Sequence, residues 1–201
     1  MAQNEKRLLI IEAAVRRFGH FGIAKTTMSE IAADLSMSKA LLYYYFPDKN
    51  HLCAAALEYV IERSFDQAQP ALHAIKDCRE ALLFVLDSRM EFVQNYYNLL
   101  EYSVGVPQQT PKEIMPVFAK ARVTQTKLFA DILQKGVDSG QFQQMDVDEV
   151  ANILLYSIEG MRFSILKNSG GLMFPSKNEF GTILSLQKKM VGILVKGLSI
   201  Y

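Results

Sequence analysis

The sequence predicts an all-α protein of about nine helices, and three observations carry that expectation. Apolar residues recur at three- and four-residue steps through most of the 201 residues. Ser, Thr or Asp precedes such runs and Gly or Pro follows them, so starts and stops fall at helix-length intervals. Strand-like alternation appears nowhere, and neither does an internal repeat or a low-complexity segment.

In order, residues 4–21 read as the first helix, with Leu8, Ile11, Val15 and Phe18 on one face and Gly22 as terminator. Thr27 caps a second helix, and Glu30 three residues later completes a capping box. Ile31 and Leu35 point inward from it. Ser36-Met37 is the turn, Ser38 caps a third helix, and Pro47 stops that helix after Phe46. Asp48 caps a longer helix from Lys49 to about Gln69, where Pro70 is expected to break it. A helix from Cys78 to about Val104 and a loop through Gly105 and Pro107 follow. Thr110-Pro111-Lys112-Glu113 reads as a second capping box, opening a short helix that Pro116 kinks or ends. The next helix closes at Ser139-Gly140. Asp146 starts another, to about Lys167, and Ser176 the last, to about Leu198.

Half of the residues are hydrophobic, enough for a sizeable core in one large domain or two unequal ones. Net charge is +1, so composition alone names no acidic partner. Residues 1–50 hold seven basic and five acidic side chains, a mild +2 in the direction a nucleic-acid-binding head needs. Cys53 and Cys78 lie inside helical patterns without metal spacing, as expected of reduced thiols in the cytoplasm. The first residues do not read as a signal peptide, and no run reaches membrane-span length.

The stretch that organises the chain is Thr26 to Lys49. At 100° per residue, Leu42 and Phe46 share one face of the third helix and anchor it to a small core of Phe18, Ile31 and Leu35. Ala40, Leu41 and Tyr44 fall on the opposite face, with Lys39 and Tyr43 along one edge. A short helix with one anchored and one protruding face suits the major groove of double-stranded DNA. Ala40 lets the backbone approach, Leu41 suits a thymine methyl, and Tyr44 suits a base edge or a phosphate. Ser38, Lys39, Tyr43 and Lys49 are placed for phosphates. The plainer reading, that the tyrosines only pack, leaves an exposed apolar face without a partner.

The segment FGHFGIAKTTMSEIAADLSMSKALLYYYFPDKNHL resembles the DNA-binding head of the TetR family of bacterial transcriptional regulators. The resemblance rests on the Phe and Gly ending helix 1, the Thr-Thr start, Ile31-Ala32, Ser38-Lys39, Leu42-Tyr43, Phe46 and Lys49, over about 45 residues. It implies an N-terminal three-helix helix-turn-helix DNA-binding domain, residues 1–48, and a helical ligand-binding and dimerisation domain, residues 49–201. It also implies that Thr27 meets a phosphate, with Ser38, Lys39, Tyr43 and Lys49 on the backbone and Ala40, Leu41 and Tyr44 toward bases. Two positions depart from the pattern. Ser36 stands where the family often has Gly, and Leu41 where a small polar residue is usual.

One short recognition helix reads too few base pairs, so a homodimer on a pseudo-palindromic operator is expected. The last helix is apolar nearly all round, the helix before it offers an apolar side, and the resemblance implies a four-helix dimer interface. Its candidates are Val150, Leu154, Ile158, Met161, Ile183, Met190, Ile193 and Leu194. Met and aromatic residues crowd the middle helices. Met90, Tyr97, Phe118, Phe129, Tyr156 and Phe163 are the candidate walls for a small, mainly hydrophobic or aromatic effector. Such an effector would act as a repressor's release signal by favouring a dimer with the wrong spacing between its heads. His20, His51 and His73 lie far apart, without metal spacing or a nucleophile motif, so no enzyme, metal or cofactor is expected. The alternative function is a dimer of the same fold acting through protein–protein contacts.

Overall fold

The computed structural model describes residues 3–100, 110–168 and 177–200. Among them are eight α-helices and one 3-10 turn. The helices are α1 (Gln3–Phe21), α2 (Met28–Asp34), α3 (Lys39–Tyr45), α4 (Lys49–Ala74), α5 (Cys78–Asn95), α6 (Met115–Asp138), α7 (Val147–Asn168) and α8 (Lys177–Leu198), with the 3-10 turn at Tyr97–Leu100. The chain is all-α, as its periodicity predicts; the one β-type feature among the described residues is an isolated bridge between Phe142 and Ser199. No described helix is long and apolar enough to cross a membrane.

Contacts divide the chain into two compact units: Met1–Asp66 with Val93–Lys120, and Gln67–Phe92 with Ala121–Tyr201. The first is built on Ile10, Ile11, Ala14, Phe18, Ile23, Ile31, Leu42, Phe46, Leu52 and Ala56, all buried. Fully burying a side chain such as Phe18 contributes about 2–3 kcal/mol. The buried stripe of α1 is Ile10, Ile11, Ala14 and Phe18, and Leu8 is 42% exposed rather than facing inward. Leu35 is only half-buried, so the expected trio of Phe18, Ile31 and Leu35 becomes a wider core in which Ile23 and Leu42 fill the remaining space. Asn98 donates to the Gly19 carbonyl at 2.8 Å and fastens the 3-10 turn to the end of α1.

The second unit packs Leu82, Leu86, Phe129, Leu133, Ala151, Leu154, Leu155, Ile158 and Val191 into one cluster. Gln187 is buried within this unit, and its side-chain amide donates to the Ile158 carbonyl at 3.1 Å, tying α8 to α7. Gly136 is required by packing: the Phe142 ring lies where its Cβ would stand.

Three boundaries differ from expectation. Helix α4 runs through Pro70 to Ala74. The ring is exposed, the missing hydrogen bond lies on a solvated side, and Leu72 beyond it is buried in the second unit's core. Thr110–Ile114 form a bend and turn rather than a capped helix. Pro116 therefore sits in the first turn of the long α6, where its missing N–H has no intrahelical partner to lose. Helix α5 ends at Asn95, and the part of its expected length from 101 to 104 lies outside the described residues.

Candidate nucleic-acid interface

Local rules shape the head before any packing does. Gly22 ends α1 at φ 80, its N–H reaching the Phe18 carbonyl at 2.9 Å. Thr26 is buried and donates its hydroxyl to the Gly22 carbonyl at 2.8 Å. Thr27 then caps α2: its oxygen accepts from the Glu30 N–H, and the Glu30 carboxylate accepts from the Thr27 N–H at 2.8 Å, the reciprocal capping box.

At the other end of α2, Met37 N–H reaches the Ala32 carbonyl at 2.9 Å and Ser36 N–H the Ala33 carbonyl at 3.0 Å. That pair of bonds is the Schellman motif, and it requires a left-handed residue at Ser36, whose φ is 52. The turn is therefore held by hydrogen bonding against the intrinsic preference of an L-residue. Ser38 starts α3 by accepting from the Leu41 N–H at 3.2 Å.

Two buried anchors, Leu42 at 0% and Phe46 at 2% exposure, fix the rotation of α3. The opposite side is left open. Ser38, Lys39, Ala40 and Tyr43 are exposed, and Tyr44 is 71% exposed. Leu41 is half-buried, so it stands at the margin of the open face rather than at its centre. Tyr45 packs edge-on against Tyr44 at 5.3 Å between ring centres and braces it.

The charges are arranged for stability as much as for a ligand. Arg17 donates to both oxygens of Asp34, at 2.6 and 3.0 Å, and lies 3.4 Å from Glu30. Its guanidinium thereby neutralises the acids of α2. The Asp34 carboxyl is held below its ordinary range by the Arg17 hydrogen bond, and the Glu30 carboxyl by the backbone and side-chain hydrogen bonds of Thr27. The Asp48 carboxyl is lowered by the His51 N–H, which it accepts at 2.9 Å as the cap of α4.

Lys49 is where the structure departs most from a simple phosphate contact. Its half-buried side chain donates to the Ile23 carbonyl at 2.9 Å and the Thr26 carbonyl at 3.1 Å. Two of the three ammonium N–H groups thus tie the start of α4 to the α1–α2 loop. Thr27 is likewise engaged, its hydroxyl donating to Glu30 at 2.8 Å. Sequence reasoning missed both this clamp and the Arg17 lock, because each joins residues 17 or more positions apart.

Residues 10–67 match the profile described as bacterial regulatory proteins, tetR family. Over nearly the whole chain, the structure is similar to a transcriptional regulator from Cytophaga hutchinsonii, with a TM-score of 0.84 and 29% identity over 97% of this chain and 99% of that one. Residues 10–67 are thus similar to the DNA-binding head of the TetR family. A regulator from Saccharomonospora viridis, solved in complex with choline, shares the fold at 22% identity and a TM-score of 0.71, over 99% of this chain and 100% of that one. The uncharacterized HTH-type regulator YuxN of Bacillus subtilis is 28% identical over 136 residues, 68% of this chain and 45% of that protein. The chain spans about half the length of the first curated relatives it matches. The matched residues 10–67 run from α1 through the helix-turn-helix into α4.

The residues expected to line an effector pocket are divided between the two units. Tyr97 and Phe118 belong to the first unit, and Met90, Phe129, Tyr156 and Phe163 to the second. Phe129 is fully buried in the second core, whereas Tyr156 and Phe163 are 59% and 65% exposed. Aromatic identity does not tell core from surface on helices this apolar.

The residues expected at the dimer interface differ in burial within the single chain. Leu154, Ile158 and Ile183 lie in the monomer's own core, at 2% exposure or less. Val150, Met161, Met190 and Leu194 are half-buried, and Ile193 is 75% exposed. The exposed large apolar side chains are Ile153, Tyr156 and Phe163 on α7 and Leu186 and Ile193 on α8. These lie at three- and seven-residue steps, one face of each helix.

Proposed function

We propose that this chain is a homodimeric transcriptional repressor of the TetR family. It docks α3 in the major groove of a pseudo-palindromic operator in the cytoplasm and is released by a small, mainly hydrophobic or aromatic effector. The observation that carries the reading is the open face of α3. Lys39, Ala40, Tyr43 and Tyr44 are exposed on a helix whose rotation Leu42 and Phe46 fix. A rigid helix with small, flat and basic groups outward suits groove entry, and Ser38, Lys39 and Tyr43 stand where phosphates pass.

Thr27 and Lys49 support the head in a second way. Each holds the loops that carry α2 and α3, so they position the reading helix as well as lying near the backbone path. The functional division is taken as a head of residues 1–48 and an effector and dimer domain of residues 49–201. The outward stripes, Ile153, Tyr156 and Phe163 with Leu186 and Ile193, supply the apolar surface for the second copy. Non-enzymatic action agrees with the family.

Selecting bound fragments from the source genome tests this reading. Two half-sites related by a dyad are expected, at a spacing of about one helical turn or a multiple. With the selected site, Lys39→Ala should weaken binding to all sequences and flatten the salt dependence by about one unit of slope per subunit. Absence of any enriched site would favour the alternative, a dimer of this fold acting through protein contacts.

A further inference from the structure

The α1–α2 turn presents a cation that the reading above leaves without a role. Thr26 N–H reaches the Ile23 carbonyl at 3.3 Å, closing a four-residue turn with Ala24 and Lys25 at its corner. The base of this turn is fixed. Ile23 and Thr26 are buried, and the Thr26 hydroxyl donates to the Gly22 carbonyl at 2.8 Å. The Lys49 ammonium grips the Ile23 and Thr26 carbonyls as well. Ala24 and Lys25, at the corner, are exposed.

The same contacts locate the turn against α3. Lys49 opens α4 just after α3 closes at Tyr45, so its grip brings the turn to the α3–α4 junction. Lys39 stands at the opposite end of α3. The seven residues of α3 span about 10 Å. Ile23, Leu42 and Phe46 are buried in one compact unit, and Lys25 and the open face of α3 both point away from that core.

Several other charges of the head are committed to the fold. Arg17 holds Asp34 and lies beside Glu30, and Arg7 lies 5.1 Å from the centre of the Phe46 ring. Glu30 and Asp48 accept hydrogen bonds at the starts of α2 and α4, and Glu12 accepts from Tyr59. Lys25 and Lys39 make no hydrogen bond or ion pair among the described residues. Their charge is therefore left for an anion from outside the chain.

We propose that Lys25 is a contact to the phosphate backbone of the operator, carried on the turn whose base Lys49 holds. This deepens the operator reading above and rests on it. A lysine meets a phosphate as a mobile point charge and needs no fixed geometry to do so. Lys25 and Lys39, rooted toward the two ends of α3, reach phosphates on either side of the base pairs that the helix contacts. Such contacts fix a reading helix on the duplex without themselves reading sequence. The cation expected at the phosphates from sequence, Lys49, is engaged within the fold, and Lys25 supplies that contact from the corner above it.

Fluorescence anisotropy of the full chain tests the contact, on the selected operator and on a random duplex of equal length, over a series of salt concentrations. Lys25→Ala should weaken binding to both duplexes. On the operator it should flatten the salt dependence by about one unit of slope per subunit, and together with Lys39→Ala by about two. Lys25→Arg should keep the parent slope. The thermal midpoint of Lys25→Ala should match the parent's; should that variant lose its helical signal, Lys25→Gln decides the comparison. Neutral methylphosphonates placed singly in the operator locate the partner: one per half-site should weaken the parent and leave Lys25→Ala unaffected. An unchanged slope in Lys25→Ala, a flattened slope in Lys25→Arg, or equal sensitivity of parent and variant at every phosphate would overturn the proposal. So would an altered base preference at the parent slope, which makes Lys25 a reader of bases. A parent that binds neither duplex sinks the operator reading and this contact with it. A parent that binds both, with Lys25→Ala indistinguishable from it, sinks the contact alone.

Discussion

Ser36 and Lys49 set the head's internal balance at the level of single residues. Ser36 occupies a left-handed position at φ 52, where a side chain is intrinsically disfavoured. Ser36→Gly should therefore stabilise the head by about 1 kcal/mol, seen as a higher denaturation midpoint at unchanged slope. An unchanged midpoint would mean that the Schellman bonds already remove the penalty. Lys49 holds two carbonyls of the α1–α2 loop. Charged hydrogen bonds of this kind contribute about 1.5–3 kcal/mol. Lys49→Met should lower the melting temperature of the head and weaken binding to every DNA sequence. If the lysine acts only as a clamp, the salt slope stays that of the parent. A flattened slope with normal stability would assign it to the phosphates instead.

The short helices α2 and α3, taken as elements, have seven residues each, too few to persist without caps and tertiary anchors. Their caps are carboxylates and hydroxyls, which makes the head sensitive to acid. Glu30, Asp34 and Asp48 all have lowered folded-state values. A group depressed on folding contributes stability above its unfolded value and loses it as pH falls through the folded one. For these groups the loss begins below the unfolded values of 4.5 for Glu30 and 3.8 for the two aspartates. Glu30→Gln should make unfolding less steep with pH below about 4.5 while leaving neutral-pH helix content nearly intact. An identical acid profile would place the sensitivity elsewhere. These caps were legible in the sequence because each involves residues three apart on one strand of chain. The Arg17–Asp34 lock was not, because α1 and α2 meet only after folding.

The second unit, considered with the whole molecule, leaves large apolar side chains open on α7 and α8. Ile193 at 75% and Phe163 at 65% exposure are costly surfaces for a lone chain. Ile193→Glu should convert a dimer to monomers in sedimentation at micromolar concentration without loss of helical signal. Operator affinity should fall with it, since one head alone reads half a site. A variant that still sediments as a dimer would remove this face from the assembly.

The sequence by itself determined the all-α class, the positions of most helix starts, and the anchored rotation of α3. It could do so because caps, turns and amphipathic spacing act within a few residues of chain. Tertiary structure decided the rest. It set which sides of α7 and α8 face inward, where Phe129 and Phe163 part company, and how Lys49 is occupied. It also let α4 pass through Pro70. Helices that are apolar on most sides have no preferred inward face until neighbours compete for them. Likewise, a cation's partner is fixed only by folding, when distant carbonyls come within hydrogen-bond reach.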